Sequence, residues 1–147
     1  MACGLLLATT CDARTDVTRG DISPVHIVQK GIEIRIHEGT NKQVVDGINY
    51  LDKPRTLTCR SAKGCVISIQ SDAALNGIGF DYTLYSTVDG VEASPPYPEQ
   101  YSPMLMTVLQ RAIVGQGVHT VETVLYFDNE ESITASAWQV NYTLYER

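Results

Sequence analysis

Trp138-Gln-Val-Asn-Tyr-Thr-Leu-Tyr145 is the segment most informative about the fold of this chain, because apolar and polar residues alternate along it. Successive side chains of a β-strand point to opposite faces of the sheet, so this pattern is typical of a half-buried antiparallel strand. The residues expected on its buried face are Trp138, Val140, Tyr142 and Leu144. Trp138, the single tryptophan of the chain, is expected to anchor the core.

The same alternation recurs upstream. Isoleucines alternate with two charged residues and a histidine in residues 32–37, and apolar residues alternate with polar ones in residues 80–85. We expect Ile32, Ile34 and Ile36 to face the core and His37 to face solvent. Residues 66–70 and 118–127 are rich in β-branched and aromatic side chains and predict further strands.

Two Asp-Gly pairs separate apolar residues, at Asp46-Gly47 and Asp89-Gly90. Asp-Gly accepts the positive φ angles of a tight primed turn, so both pairs predict β-hairpins. Roughly eight to ten short strands with turns between them are typical of a two-sheet domain. The chain is therefore predicted to be an all-β, antiparallel β-sandwich, either jelly-roll or immunoglobulin-like.

Residues 103–114 fit two structures. Apolar residues recur there at helical spacing, with Ser102 as a possible N-cap, Pro103 in the first turn and Gly115 after the end. The same residues also alternate as a strand would. The pattern favours a strand, because every neighbouring segment is β, and one short helix near 103–114 remains the alternative.

Length and composition indicate one domain. The chain has 147 residues, of which 44% are hydrophobic and 19% charged, which is typical of a globular domain with its own core. We expect residues 24–147 to form a single sandwich domain and residues 1–23 to form an N-terminal arm or strand.

Four cysteines, Cys3, Cys11, Cys59 and Cys65, fit no zinc-ligand spacing. Five residues including a glycine separate Cys59 from Cys65, and strand-like runs flank both. This spacing predicts a hairpin whose mouth a disulfide could close, with two half-buried thiols as the alternative. A disulfide would indicate an oxidising or extracellular environment.

Charge and motifs exclude several functions. The net charge is −6 and no basic cluster offsets it, so nucleic acid is not an expected partner. No apolar run is long enough to predict a membrane span. Nucleophile-elbow, zinc-protease and phosphate-loop motifs are absent from the sequence, so we expect no catalytic residues, no cofactor, no metal and no enzymatic activity.

Interface candidates are apolar residues beside irregular segments. A neighbouring subunit could take up the Leu5-Leu6-Leu7 run by strand addition. Tyr97 and Tyr101 flank a proline-rich loop, and Met104 and Met106 follow it; both residue types are common in interfaces. The expected partners are therefore protein subunits, as a homo-oligomer or larger assembly.

Two functions follow from this pattern. The first is a non-enzymatic structural or assembly protein, such as a phage-type virion decoration, tail or fibre component or another extracellular assembly subunit. The alternative is a secreted bacterial β-sandwich module that binds a glycan or a cell-surface partner. Both place the protein on a virion or outside the cell.

Overall fold

The computed structural model describes residues 22–76, 81–96, 100–101, 105–130 and 132–147. These residues form β-strands and no helix. The strands are β1 (Ile22–Gln29), β2 (Ile32–Val44), β3 (Gly47–Tyr50), β4 (Arg55–Cys59), β5 (Cys65–Asn76), β6 (Asp81–Val88), β7 (Val91–Glu92), β8 (Gln100–Tyr101), β9 (Leu105–Val114), β10 (Gly117–Phe127) and β11 (Ile133–Glu146). Because β1 begins at Ile22, the predicted boundary after residue 23 falls inside a strand.

The strands form two antiparallel sheets. The five-stranded sheet has the order β1-β2-β11-β5-β9. The six-stranded sheet has the order β3-β10-β6-β7, with β4 also pairing with β10 and β8 with β6. No helix in the described part of the chain could cross a lipid bilayer.

The pairing of strands is nested along the chain. From β2 onward the outermost pair joins the first strand to the last, β2 to β11. Within it, β3 and β4 pair with β10, then β5 pairs with β9, and the innermost pair is β6 with β7. Consecutive pairs alternate between the two sheets, which is the arrangement of a jelly roll. The predicted antiparallel sandwich is confirmed, and of its two variants this strand order is the jelly roll.

Residues 105–114 form a strand, so the short-helix alternative near 103–114 is wrong. Side chains alternate along β9, with Met106 and Val108 buried and Leu109 and Ile113 exposed. Pairing with β5 over ten residues satisfies the backbone of this segment and overrides its helical spacing.

One of the two predicted Asp-Gly hairpins exists. Asp89 and Gly90 have φ angles of 53° and 78° and join the paired strands β6 and β7. The hairpin at Asp46-Gly47 is wrong, because β2 and β3 lie in different sheets. Gly47 does adopt a positive φ of 89°, so the residue type predicted the local turn but not the partner of the strand that follows it.

The Cys59–Cys65 disulfide is confirmed, but it does not close a hairpin. Cys59 ends β4 in the six-stranded sheet and Cys65 begins β5 in the five-stranded sheet. The bond therefore ties the two layers together at one end of the sandwich. Restricting a loop with a sequence separation of 6 stabilises the folded state by about 2 kcal/mol in the chain-entropy account.

The core lies between the sheets, and the inward face predicted for β11 is confirmed. Trp138 is 6% exposed, and Val140 and Tyr142 are fully buried. Opposite them, Tyr82 and Phe127 stack with ring centroids 5.2 Å apart.

The orientation predicted for β2 is wrong. Val140 of β11 pairs with His37 and Tyr142 pairs with Arg35, so these β2 residues share the inward face of β11. His37 is 6% exposed and lies 5.9 Å from the Tyr142 ring. The isoleucines of β2 consequently point outward, because alternation assigns residues to two faces and only the register with β11 determines which face is inside.

A chain of polar side chains crosses the core. Ser86, Thr123 and Tyr142 are joined by hydroxyl contacts of 3.2 and 3.4 Å, and the Tyr142 hydroxyl donates to Asp52 at 3.4 Å. At the other end, the Ser86 backbone N–H donates to the Gln110 side chain at 2.6 Å. Burial and the Asp52 carboxylate raise the pKa of Tyr142 well above its ordinary value, so this hydroxyl stays protonated and remains a donor.

Candidate functional site

Three tyrosines lie on the solvent face of the six-stranded sheet. Tyr50 of β3 pairs with Val124 of β10, and Val124 pairs with Tyr85 of β6. Tyr126 lies two residues further along β10, on the same face. We call the surface formed by Tyr50, Tyr85 and Tyr126 the tyrosine face.

The side chains of the tyrosine face cover Val124 beneath them. Val124 lies between Tyr50 and Tyr85 and is 3% exposed, although its register directs it away from the core cluster. A side chain at a solvent-facing position is this buried only when its neighbours cover it. Tyr50 and Tyr126 remain 42% and 38% exposed, so aromatic surface is left in contact with water.

Carboxylates border the tyrosine face near Tyr85. Burial raises the pKa of Tyr85, and the carboxylate of Glu92, the hydroxyl of Tyr50 and the carboxylate of Glu122 raise it further. Tyr85 is therefore a neutral phenol that both donates and accepts hydrogen bonds. Thr87, paired with both glutamates, donates to one oxygen of Glu122 at 3.1 Å.

A second candidate is an open groove of about 950 Å³ between β9 and the β6–β7 hairpin. Most of the described residues that line the groove are aliphatic. His119 and Asp89 also line it and form a histidine–carboxylate pair there. His119 Nδ1 lies 2.7 Å from Asp89 and Nε2 lies 2.9 Å from the Gly115 carbonyl. Since both ring nitrogens face acceptors, neither is available to take a proton from a substrate or to ligate a metal.

The His119–Asp89 contact favours the imidazolium form. Its hydrogen bond to Asp89 raises the pKa of His119, since a protonated ring donates to both acceptors at once. The same hydrogen bond and the backbone N–H of Thr120 lower the pKa of Asp89. The pair thus holds the hairpin turn against the start of β10.

We expect Asp89→Asn to lower the pKa of His119 toward its ordinary value of about 6.5. The hydrogen bond to Asp89 stabilises the folded wild type by its full amount at pH values below the pKa of His119 in the unfolded chain. This stabilisation disappears as the pH rises through the higher pKa of His119 in the folded chain, and Asp89→Asn lacks it. An NMR titration of the His119 ring, with urea unfolding on both sides of that pKa, measures both effects. An unchanged titration midpoint in Asp89→Asn contradicts the assigned cause.

The predicted interface residues have mixed outcomes. Met106 is 1% exposed and packs in the core, so its assignment to an interface is wrong; it lies at an inward position of β9. Tyr101 lies in β8, paired with Asp81. Leu5, Leu6, Leu7, Tyr97 and Met104 lie outside the described residues.

Sequence reasoning missed Tyr50 and Tyr126 as surface residues. Tyr126 lies inside an apolar run, Val124-Leu-Tyr-Phe127, and Tyr50 belongs to a strand too short to show a period. The enrichment in tyrosine, eight residues against two phenylalanines, was the one signal that pointed to them. Their convergence depends on the pairing of β3 and β6 with opposite edges of β10.

The described residues contain no cluster of three or more metal-ligating side chains. No protein-family model matches the chain, and no curated protein matches it. Among solved structures, it is similar to the N-terminal cellulose-binding domain of β-1,4-glucanase C from Cellulomonas fimi. The two are 10% identical with a TM-score of 0.32, covering 84% of this chain and 83% of that one. Similarity at this level assigns no ligand to this chain.

Proposed function

We propose that this protein is an extracellular, non-catalytic module that binds a neutral glycan chain on the tyrosine face. The observation that carries the proposal is the convergence of Tyr50, Tyr85 and Tyr126 on one sheet face bordered by carboxylates. Of the two predicted functions, this geometry favours the glycan-binding alternative, and no observation here supports a virion role.

Sugar rings present C–H groups on their faces and hydroxyls on their rims. The negative face of an aromatic ring attracts the C–H face, and the phenol hydroxyl and carboxylates bond to the rim. The backbones of Tyr50 and Tyr85 are two strands apart, about 10 Å, which suits an extended chain contacting both rather than a single buried sugar. Glu92 and Glu122 disfavour uronate or sulfated glycans by charge repulsion.

The disulfide supports an extracellular location, since such bonds persist in oxidising compartments. The non-catalytic assignment is supported by the engagement of both His119 ring nitrogens in the groove. The tyrosine face is also open to solvent, so a ligand bound there stays in contact with water, whereas catalytic sites commonly exclude water.

We expect a glycan array to show binding to neutral polysaccharides. For the oligosaccharide so identified, Tyr50→Ala and Tyr126→Ala should each weaken binding about tenfold, which corresponds to about 1.4 kcal/mol. Calorimetry with a short, monovalent oligosaccharide measures this without avidity effects. The matched control is Tyr145→Ala, a tyrosine of equal exposure, 43%, on the other sheet.

Circular dichroism of each variant separates lost binding from lost folding. The proposal fails if no neutral glycan binds, or if Tyr145→Ala weakens the monovalent affinity as much as the tyrosine-face variants do.

A further inference from the structure

The solvent face of the five-stranded sheet carries exposed apolar side chains. An aliphatic and aromatic stripe crosses four strands at one level, since Ile32 pairs with Tyr145, Tyr145 with Val66 and Val66 with Ile113. Ile34 and Ile36 continue it along β2. We call the solvent-facing side of this sheet, which carries the stripe and the two further isoleucines, the isoleucine face.

Much of this apolar surface contacts water. Ile32 is 37% exposed, Tyr145 is 43% exposed and Ile113 is 73% exposed. Contiguous exposed aliphatic groups on a soluble domain mark an interaction surface. Aliphatic side chains lack the flat ring faces that favour sugars, so this face suits a protein surface better than a glycan.

Charge is depleted on the isoleucine face. On β2, β11, β5 and β9, the strand registers place three charged side chains on the solvent-facing side: Glu38, Asp72 and Arg111. They sum to −1, and none of them lies on the central strand β11. Between the apolar edges, the centre of the face carries uncharged hydrogen-bonding groups such as Asn141, Gln139 and Gln70. Depletion of charge at the centre of a surface is typical of protein–protein interfaces.

From this surface we propose that two copies of the chain pack their isoleucine faces together as a symmetric dimer. The proposal goes beyond glycan binding and uses the opposite side of the sandwich. The near-neutral face allows two chains of equal negative charge to approach, since their remaining acids lie elsewhere and are screened beyond about 8 Å at physiological salt.

The size of the face fits this occupant. Five strands and the residues from Ile32 to Thr40 span roughly 19 Å by 27 Å, and side-chain relief adds to that flat area. The flat area is therefore about 500 Å² per copy, so two copies bury about 1,000 Å² or more in total, which is the range of a weak, reversible interface. A two-fold axis perpendicular to the strands, at the level where Ile36 pairs with Asn141, places the stripe of one copy over the level of Thr40, Ala137, Ala74 and Leu105 in the other, with the sheets about 10 Å apart. This axis sets Arg111 of one copy beside Asp72 of the other and keeps the acids Glu38 and Asp72 from facing each other.

Such a dimer points its two tyrosine faces in opposite directions. It therefore offers two glycan sites to separate chains, and binding to a polysaccharide surface gains avidity from the second site.

The test is the mass of the full-length protein in solution, measured by sedimentation equilibrium across a micromolar concentration series. We expect wild type to approach twice 16.2 kDa. Ile113→Lys and Ile32→Lys should shift the dimer dissociation constant at least tenfold. Val118→Lys, at an aliphatic position on the six-stranded sheet that is 67% exposed and so comparable with Ile113, should leave it unchanged.

Ile113 is exposed enough for its lysine variant to fold, which keeps the test decisive if Ile32→Lys unfolds. A wild type that stays monomeric throughout the series overturns the proposal. The proposal is also overturned if Val118→Lys dissociates the dimer while Ile113→Lys leaves it intact. Because the readout is mass without glycan, its failure is distinct from a failure of the glycan proposal.

Discussion

Replacing Asp52 with alanine is expected to lower the free energy of unfolding by about 3–5 kcal/mol. Asp52 is 2% exposed and accepts two hydrogen bonds of 2.7 Å from the Arg55 guanidinium. It also accepts from the Tyr142 hydroxyl at the end of the polar chain. Alanine removes the carboxylate that pairs with the Arg55 guanidinium, a side chain that is 15% exposed, so part of the desolvation cost of that charge is no longer offset.

Urea unfolding followed by Trp138 fluorescence measures this loss. Asp128→Ala, at an exposed position after β10, is the control and should change stability by less than about 0.5 kcal/mol. The double variant Asp52→Ala/Arg55→Met should regain part of the loss, because it removes both charges of the pair. A loss below about 1 kcal/mol in Asp52→Ala contradicts a stabilising role for the pair.

Gln110→Leu is expected to lower the free energy of unfolding by about 3 kcal/mol, although leucine has nearly the same volume. Gln110 is fully buried, and its side chain accepts from the Ser86 N–H at 2.6 Å. Its amide donates to the carbonyls of Ala93 and Pro95, both at 2.9 Å. Leucine leaves these backbone groups without this partner inside the sandwich.

The control is Gln116→Leu, since Gln116 is exposed and donates to the Arg60 carbonyl at the surface. It should change stability by less than about 0.5 kcal/mol. Gln110→Glu gives a second measurement: its stability should rise as pH falls, since only the protonated carboxyl donates a hydrogen bond and burial raises its folded pKa. Equal effects of the two leucine variants contradict the role assigned to Gln110.

The two outer faces of the sandwich differ in chemistry, and this difference motivates the two separate proposals. The six-stranded sheet presents phenols and carboxylates, and the five-stranded sheet presents aliphatic groups with few charges. A back-to-back dimer combines the assembly and binding functions predicted from the sequence in one molecule. The glycan and mass experiments test them independently.

Local patterns predicted the strands well. Alternation at 138–145 correctly predicted the inward face of β11, and Asp89-Gly90 correctly predicted a hairpin. Both features are set by residues close together in the sequence. The Cys59–Cys65 disulfide was predicted from a hairpin that does not exist. Two cysteines six residues apart reach each other across a turn between layers as readily as across a hairpin.

Period-two patterning and turn residues were enough to predict a sandwich of alternating strands, because both act within a few positions of the chain. The fold was needed to show which side of β2 faces the core and that Tyr50, Tyr85 and Tyr126 meet. Both depend on register and strand order between segments far apart in the chain. A shift of one residue in register exchanges the two faces, and no local pattern fixes it.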